Sequence, residues 1–125
     1  MAAKILLQGS VVRATYGVLA LLFPKLLMAG MRNAELDENA RYFNRLFGGR
    51  DLLVAGATYG AVKAGALSPA VKANIVCEVT DTVSLLEELR ARGRMDRFLA
   101  IGLGFNIGGY ATWFRASRTL RVNGR

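Results

Sequence analysis

A chain of 125 residues with one cysteine and no histidine excludes an intrachain disulfide, a multi-cysteine metal site, any histidine-based triad and any ordinary zinc or haem centre. It is 53% hydrophobic and 21% charged, with a mean hydropathy of +0.28 and a net charge of +8. Fourteen glycines against two prolines, nearly all within or beside apolar runs, favour a membrane protein, because small residues let membrane helices approach closely.

The length suits a single domain over 1–125. In a soluble chain this positive charge would point to nucleic acid. Here it gathers at segment ends and in the C-terminal tail, where anionic lipid headgroups explain it equally well. The reading adopted is therefore lipid, with no nucleic acid.

The first apolar segment covers 5–30. Lys4 and Lys25 bracket twenty residues interrupted only by Gln8 and Arg13, enough to span a hydrocarbon core. Pro24 marks the exit or a kink near it. A cleaved signal peptide is the rival reading, but Arg13 breaks the apolar region and no small-x-small cleavage site follows. Asn33 to Asn39 is an acidic polar loop. The second segment begins near Ala40, with its span over 44–65. Gly56 and Gly60, four apart, form a small-residue face suited to helix packing. Leu67-Ser68-Pro69 reads as a turn, with Ser68 as N-cap and Pro69 as first helical residue.

The third segment, 70–89, carries Glu78 and Asp81 inside an apolar run; an interfacial helix is its alternative. Arg90 to Asp96 is a polar turn around Gly93. The fourth segment, 97–115, has no formal charge between Phe98 and Phe114. Gly104 and Gly108 form a GxxxG pair, and Tyr110 and Trp113 sit toward one end, where an aromatic belt belongs. The cluster Gly102, Gly104, Gly108 and Gly109 has the wrong spacing for a dinucleotide loop and reads as packing surface. In the basic tail, Arg115, Arg118 and Arg121 recur every third residue and suit a headgroup anchor (116–125 is the tail proper). The predicted fold is all-α, a four-helix transmembrane bundle with both termini on the same side. The tail arginines assign that side to the cytoplasm.

Five ionisable residues fall inside these spans: Arg13, Arg50, Asp51, Glu78 and Asp81. A charge at the bilayer centre costs about 2.5–3.5 kcal/mol on insertion scales, so they are expected to face one another. Counting from the span ends nearest the acidic loop, at about 1.5 Å per residue, places Arg13, Glu78 and Asn106 in one layer. Arg50, Asp81 and Asp51 form a second, shallower one. Asn74, Glu78 and Asp81 share a helix face, as do Asn44, Asp51 and Thr58. The predicted pairs are Arg13–Glu78 and Arg50–Asp81. Such pairs can simply lock helix register. They could also bind an anionic headgroup or the polar end of a hydrophobic ligand, or relay protons. Tyr16, Tyr59 and Tyr110 could lend hydroxyls. No catalytic residue, metal or cofactor is assigned.

The string Arg41-Tyr42-x-x-Arg45-Leu46-Phe47-Gly48-x-Arg50-Asp51, preceded by Arg13, Gly17 and Pro24 in the first helix, resembles a family of small four-helix bacterial membrane proteins. These are frequent in actinobacteria and are grouped as a domain of unknown function. The resemblance covers most of the chain and implies a four-helix fold and a membrane location, with no catalytic role to carry over. The expected function is a non-catalytic accessory or lipid-associated subunit of the bacterial inner membrane. Its partners would be the bilayer and another membrane protein or a second copy. The alternatives are a membrane enzyme, of isomerase or cyclase type, working through a buried carboxylate, and a small proton-coupled transporter.

Overall fold

The computed structural model describes residues 1–30 and 38–123, and within them every regular element is an α-helix. In order these are α1 (Ala2–Leu22), α2 (Pro24–Gly30), α3 (Glu38–Lys63), α4 (Leu67–Arg92) and α5 (Arg97–Asn123). The single first segment expected over 5–30 is divided at Phe23. Proline lacks an N–H and pushes the residue before it out of helical geometry, and Phe23 accordingly sits at φ −127°, ψ 50°. The acidic loop at Asn33–Asn39 lies outside the described residues, except that its end opens α3.

The α3–α4 connection is set by Gly65, whose φ of +74° strains any residue with a Cβ. Ala66 N–H donates to Ala61 O at 2.8 Å and Gly65 N–H to Val62 O at 3.1 Å, a Schellman closure that leads directly into α4. The N-cap of α4 is therefore Ala66 rather than Ser68, and no side chain caps it. Gly93, at φ +64°, ends α4 within the polar turn. Asp96 then caps α5, its Oδ1 accepting Leu99 N–H at 2.9 Å.

That backbone bond, backed by Arg92, holds the Asp96 carboxyl below its usual value of 3.8. A depressed folded-state value means the stabilisation is complete above that ordinary value and is lost as pH falls through the lower one. Asp96→Ala is expected to fray the first turn of α5 at neutral pH and to remove this acid sensitivity. Amide exchange at Leu99 reads both effects.

Packing joins α1 chiefly to α3 and α4 chiefly to α5, while α1 also crosses α5. Gly17 and Gly48 make the α1–α3 crossing possible: a Cβ on Gly48 would stand 2.7 Å from Gly17 O and 2.8 Å from Leu21 N. All four long helices close together at one end, around Leu6, Ala70, Val71, Trp113 and Ala116. Toward the other end the two pairs diverge.

Among the described residues the interior mixes apolar with polar groups, and large apolar side chains stand outside. Six polar or charged residues are buried: Ser10, Asp51, Thr58, Asn74, Glu78 and Asn106. Five of the nine buried hydrophobic residues are alanines. Meanwhile Phe23, Phe43, Phe47, Phe105 and Phe114, five of the six phenylalanines, are exposed.

Among the described residues α1 alone is long and apolar enough by itself to cross a membrane, with a hydropathy of 1.6 and 22% of its window buried. The fourth segment does not pass this measure, because its glycines, Asn106, Tyr110 and Thr112 dilute its apolar content.

The GxxxG pairs make no close contact within the chain. A Cβ on Gly56, Gly60, Gly104 or Gly108 would meet nothing within 4 Å. Instead α5 leans on α4 through Gly102, against Leu85, and Gly109, against the Glu78 carboxyl. The close contacts within the chain fall on other glycines, while Gly104 and Gly108 line a cleft between the helix pairs.

Candidate functional site

The buried charges form one connected network where the helix pairs begin to part. From α1, Arg13 donates to Glu78 Oε1 at 2.7 Å and to Asp51 Oδ1 at 3.3 Å. From α3, Arg50 grips Asp81 with two bonds, 2.6 Å to Oδ1 and 3.1 Å to Oδ2, and also reaches Asp51 Oδ1 at 3.0 Å. Asp51 thus joins the two predicted pairs into a chain of five. Its position next to Arg50 on α3, one turn from the Gly17–Gly48 crossing, lets it meet both arginines.

Glu78 is the hub. Besides Arg13 it accepts Trp113 Nε1–H at 3.0 Å on Oε1 and Asn106 Nδ2–H at 2.9 Å on Oε2. Trp113 is only 2% exposed, so it belongs to the polar interior and not to an aromatic belt. The spacing signal for this was present: Asn106 and Trp113 are seven apart, on one face of α5, toward Glu78. The Arg13 guanidinium also lies 5.9 Å from the centre of the Trp113 ring, and that of Arg50 lies 5.1 Å from Phe47.

Around this hub lies a shell of neutral polar contacts. Thr82 Oγ1 donates to Asn106 Oδ1 at 2.6 Å and lies 3.1 Å from the Tyr110 hydroxyl. Asn74 Nδ2 donates to Thr58 Oγ1 at 2.8 Å, joining the two helix faces on which the sequence placed polar residues. Of the tyrosines, Tyr59 points outward, half exposed, with the Lys63 ammonium 5.6 Å from its ring. Cys77 is half-buried and free. Arg115, Arg118 and Arg121 are exposed on the last turns of α5 and take no part in the network.

Above the network the diverging pairs leave a cleft of about 1680 Å³. Its floor is the charged group together with Asn106 and Trp113. Its walls are largely apolar, with Phe43 and Phe47 from α3 and Leu85, Phe98, Ile101 and Phe105 from α4 and α5. Tyr16 also lines it. The open cleft thus joins an ionic floor to largely hydrocarbon walls. Both oxygens of Glu78 and both of Asp81 are engaged by donors. Among the described residues no group of three or more Cys, Asp or Glu side chains could hold a metal ion.

No family model, curated protein or solved structure matches this chain. What the site does is therefore read from its own geometry.

Proposed function

We propose that this chain is a small integral protein of the bacterial inner membrane. Its four long helices cross the bilayer as a bundle, and it acts without catalysis as a lipid-associated or accessory subunit. The observation that carries this reading is an uncharged band around the bundle. Between Lys4 and Lys25, Arg45 and Lys63, Lys72 and Glu87, and Arg97 and Arg115, no exposed residue is charged. Every charged side chain in those intervals (Arg13, Arg50, Asp51, Glu78 and Asp81) turns into the network. At 1.5 Å per residue the band is about 21–30 Å deep, close to the hydrocarbon thickness once lysine and arginine stems reach past its edges.

Other features agree with this reading. Water would not leave five phenylalanines outside and a glutamate inside, whereas lipid favours that exchange. Lys4, Lys63, Lys72, Arg115, Arg118 and Arg121 are all exposed at the closed end of the bundle, where anionic headgroups would meet them. On this reading that end, with both termini, faces the cytoplasm. A signal-peptide role for α1 fits poorly, since its removal would take Arg13 out of the network and Gly17 out of the crossing. The exposed Gly56 and Gly60 face of α3 is open to a partner helix or a second copy, and Gly104 and Gly108 of α5 are open on the cleft side. The resemblance to the four-helix bacterial family belongs to the same proposal.

Carbonate washing of membranes tests it. The chain is expected to stay in the pellet and to leave it only with detergent. Release into the alkaline supernatant would overturn the membrane reading.

A further inference from the structure

The cleft has a charge opposite to that of the chain around it. The protein as a whole is +8, yet among the described residues the cleft is lined by three arginines (Arg13, Arg50, Arg92) and five carboxylates (Asp51, Glu78, Asp81, Glu87, Glu88). At the floor the imbalance is two guanidiniums against three carboxylates. Arg13 makes its shorter bond to Glu78 and Arg50 its shortest to Asp81, which leaves Asp51, bonded to both arginines at 3.3 and 3.0 Å, as the excess charge. Asp51 is 7% exposed, both arginines meet it through Oδ1 alone, and Oδ2 has no partner among the described residues. Near the mouth, Glu88 is taken by Arg92 at 2.7 Å, while Glu87 has no partner among the described residues.

An anionic headgroup finds no free arginine here and would add to an existing excess of negative charge. That disposes of the anion-binding use of this floor. A buried, partly unpaired carboxylate beside aromatic walls selects the opposite charge, since cations are drawn both to the carboxylate and to ring faces. We propose that the cleft binds a lipophilic cation, a molecule with one positive centre and an apolar body. The positive centre sits over Asp51, and the body lies against Phe43, Phe47 and Phe105. This deepens the lipid-associated reading by giving the ligand its charge; the charge argument itself does not depend on the chain being in a membrane.

The only tryptophan of the chain, Trp113, stands at the cleft floor and reports on occupancy. The protein, purified in a neutral maltoside detergent, is titrated with tetraphenylphosphonium and, separately, with tetraphenylborate. The two ions share size and shape and differ in sign. A saturable change in tryptophan emission is expected with the cation and not with the anion. Asp51→Asn is expected to weaken cation binding about tenfold or more, as loss of a buried charge partner does. Should that variant lose its helical circular dichroism, Glu87→Gln serves instead: it is exposed and unpaired, and is expected to weaken binding about threefold at low salt only.

Absence of a saturable response in folded protein, an equal response to the anion, or folded Asp51→Asn and Glu87→Gln variants binding as tightly as the parent would each overturn the proposal. The outcome is separable from the membrane question. A chain released by carbonate that still binds the cation keeps this inference and loses the membrane reading; a chain that stays in the pellet and ignores the cation does the reverse.

Discussion

Glu78→Ala is expected to destabilise the bundle by about 3–5 kcal/mol, the cost of breaking a buried ion pair from one side. The large figure applies because three donors lose their acceptor together: the Arg13 guanidinium, Trp113 Nε1–H and Asn106 Nδ2–H. Glu78→Gln is expected to be nearly as harmful. Whichever way its amide is turned, the NH₂ faces a donor, either Asn106 or Arg13 with Trp113. Thermal unfolding in detergent, followed by helical circular dichroism, measures both. Exchange of Arg13 and Glu78 between the helices is a natural test of a pair, but here it fails for a physical reason. An arginine at position 78 would confront the Trp113 and Asn106 donors, so the double reversal is not expected to recover what each single one loses. A double-mutant cycle with Arg13→Met and Glu78→Met measures the coupling without creating that conflict.

Gly48→Ala is expected to cost about 1–3 kcal/mol through overpacking, with Gly17→Ala similar. Two effects compete at these positions. Alanine raises helix propensity by up to about 1 kcal/mol, which favours the substitution. Against it, the atoms that a new Cβ at Gly48 would strike include backbone, Gly17 O and Leu21 N, which cannot rotate aside. The clash wins, and α1 must move off α3. The contrast is with Gly56→Ala and Gly104→Ala, where a Cβ meets nothing within 4 Å. These are expected to leave unfolding unchanged or slightly improved. If they reduce recovery of a co-purifying partner or a dimer while leaving the melting curve intact, the glycine faces of α3 and α5 are association surfaces. A fall in melting temperature at Gly56 or Gly104, with none at Gly17 or Gly48, would contradict the helix arrangement itself.

The motif that carried the family resemblance gains a physical meaning in this fold. Gly17 and Gly48 are the two sides of one crossing, and Arg13, Arg50 and Asp51 are three of the five network members. These positions look unrelated along the chain, yet they lie within two turns of one another on paired helices. The closeness is what lets Arg13 and Arg50 share Asp51. The signal was visible as spacing, but its purpose was not.

Helix existence and the pairing of opposite charges were legible in the residues alone. Apolar length, the breaks at Pro24 and Gly93, and heights counted at a constant rise per residue are local quantities, whereas the α3–α4 turn was expected at Leu67-Ser68-Pro69 and closes at Gly65. Local quantities sufficed to match Arg13 with Glu78 and Arg50 with Asp81. Tertiary structure alone decided which small residues meet at the helix crossings and how the helix pairs part, and four features came with that. Trp113 became a donor to Glu78 instead of an interfacial anchor; Gly17 and Gly48, not the GxxxG pairs, took the close contact. Asp51 was left as the surplus carboxylate, and the helix pairs parted to leave a cleft above it. Rotation about a helix axis changes no local energy and is set only by what each neighbour presents, which a linear pattern of small and polar residues does not contain.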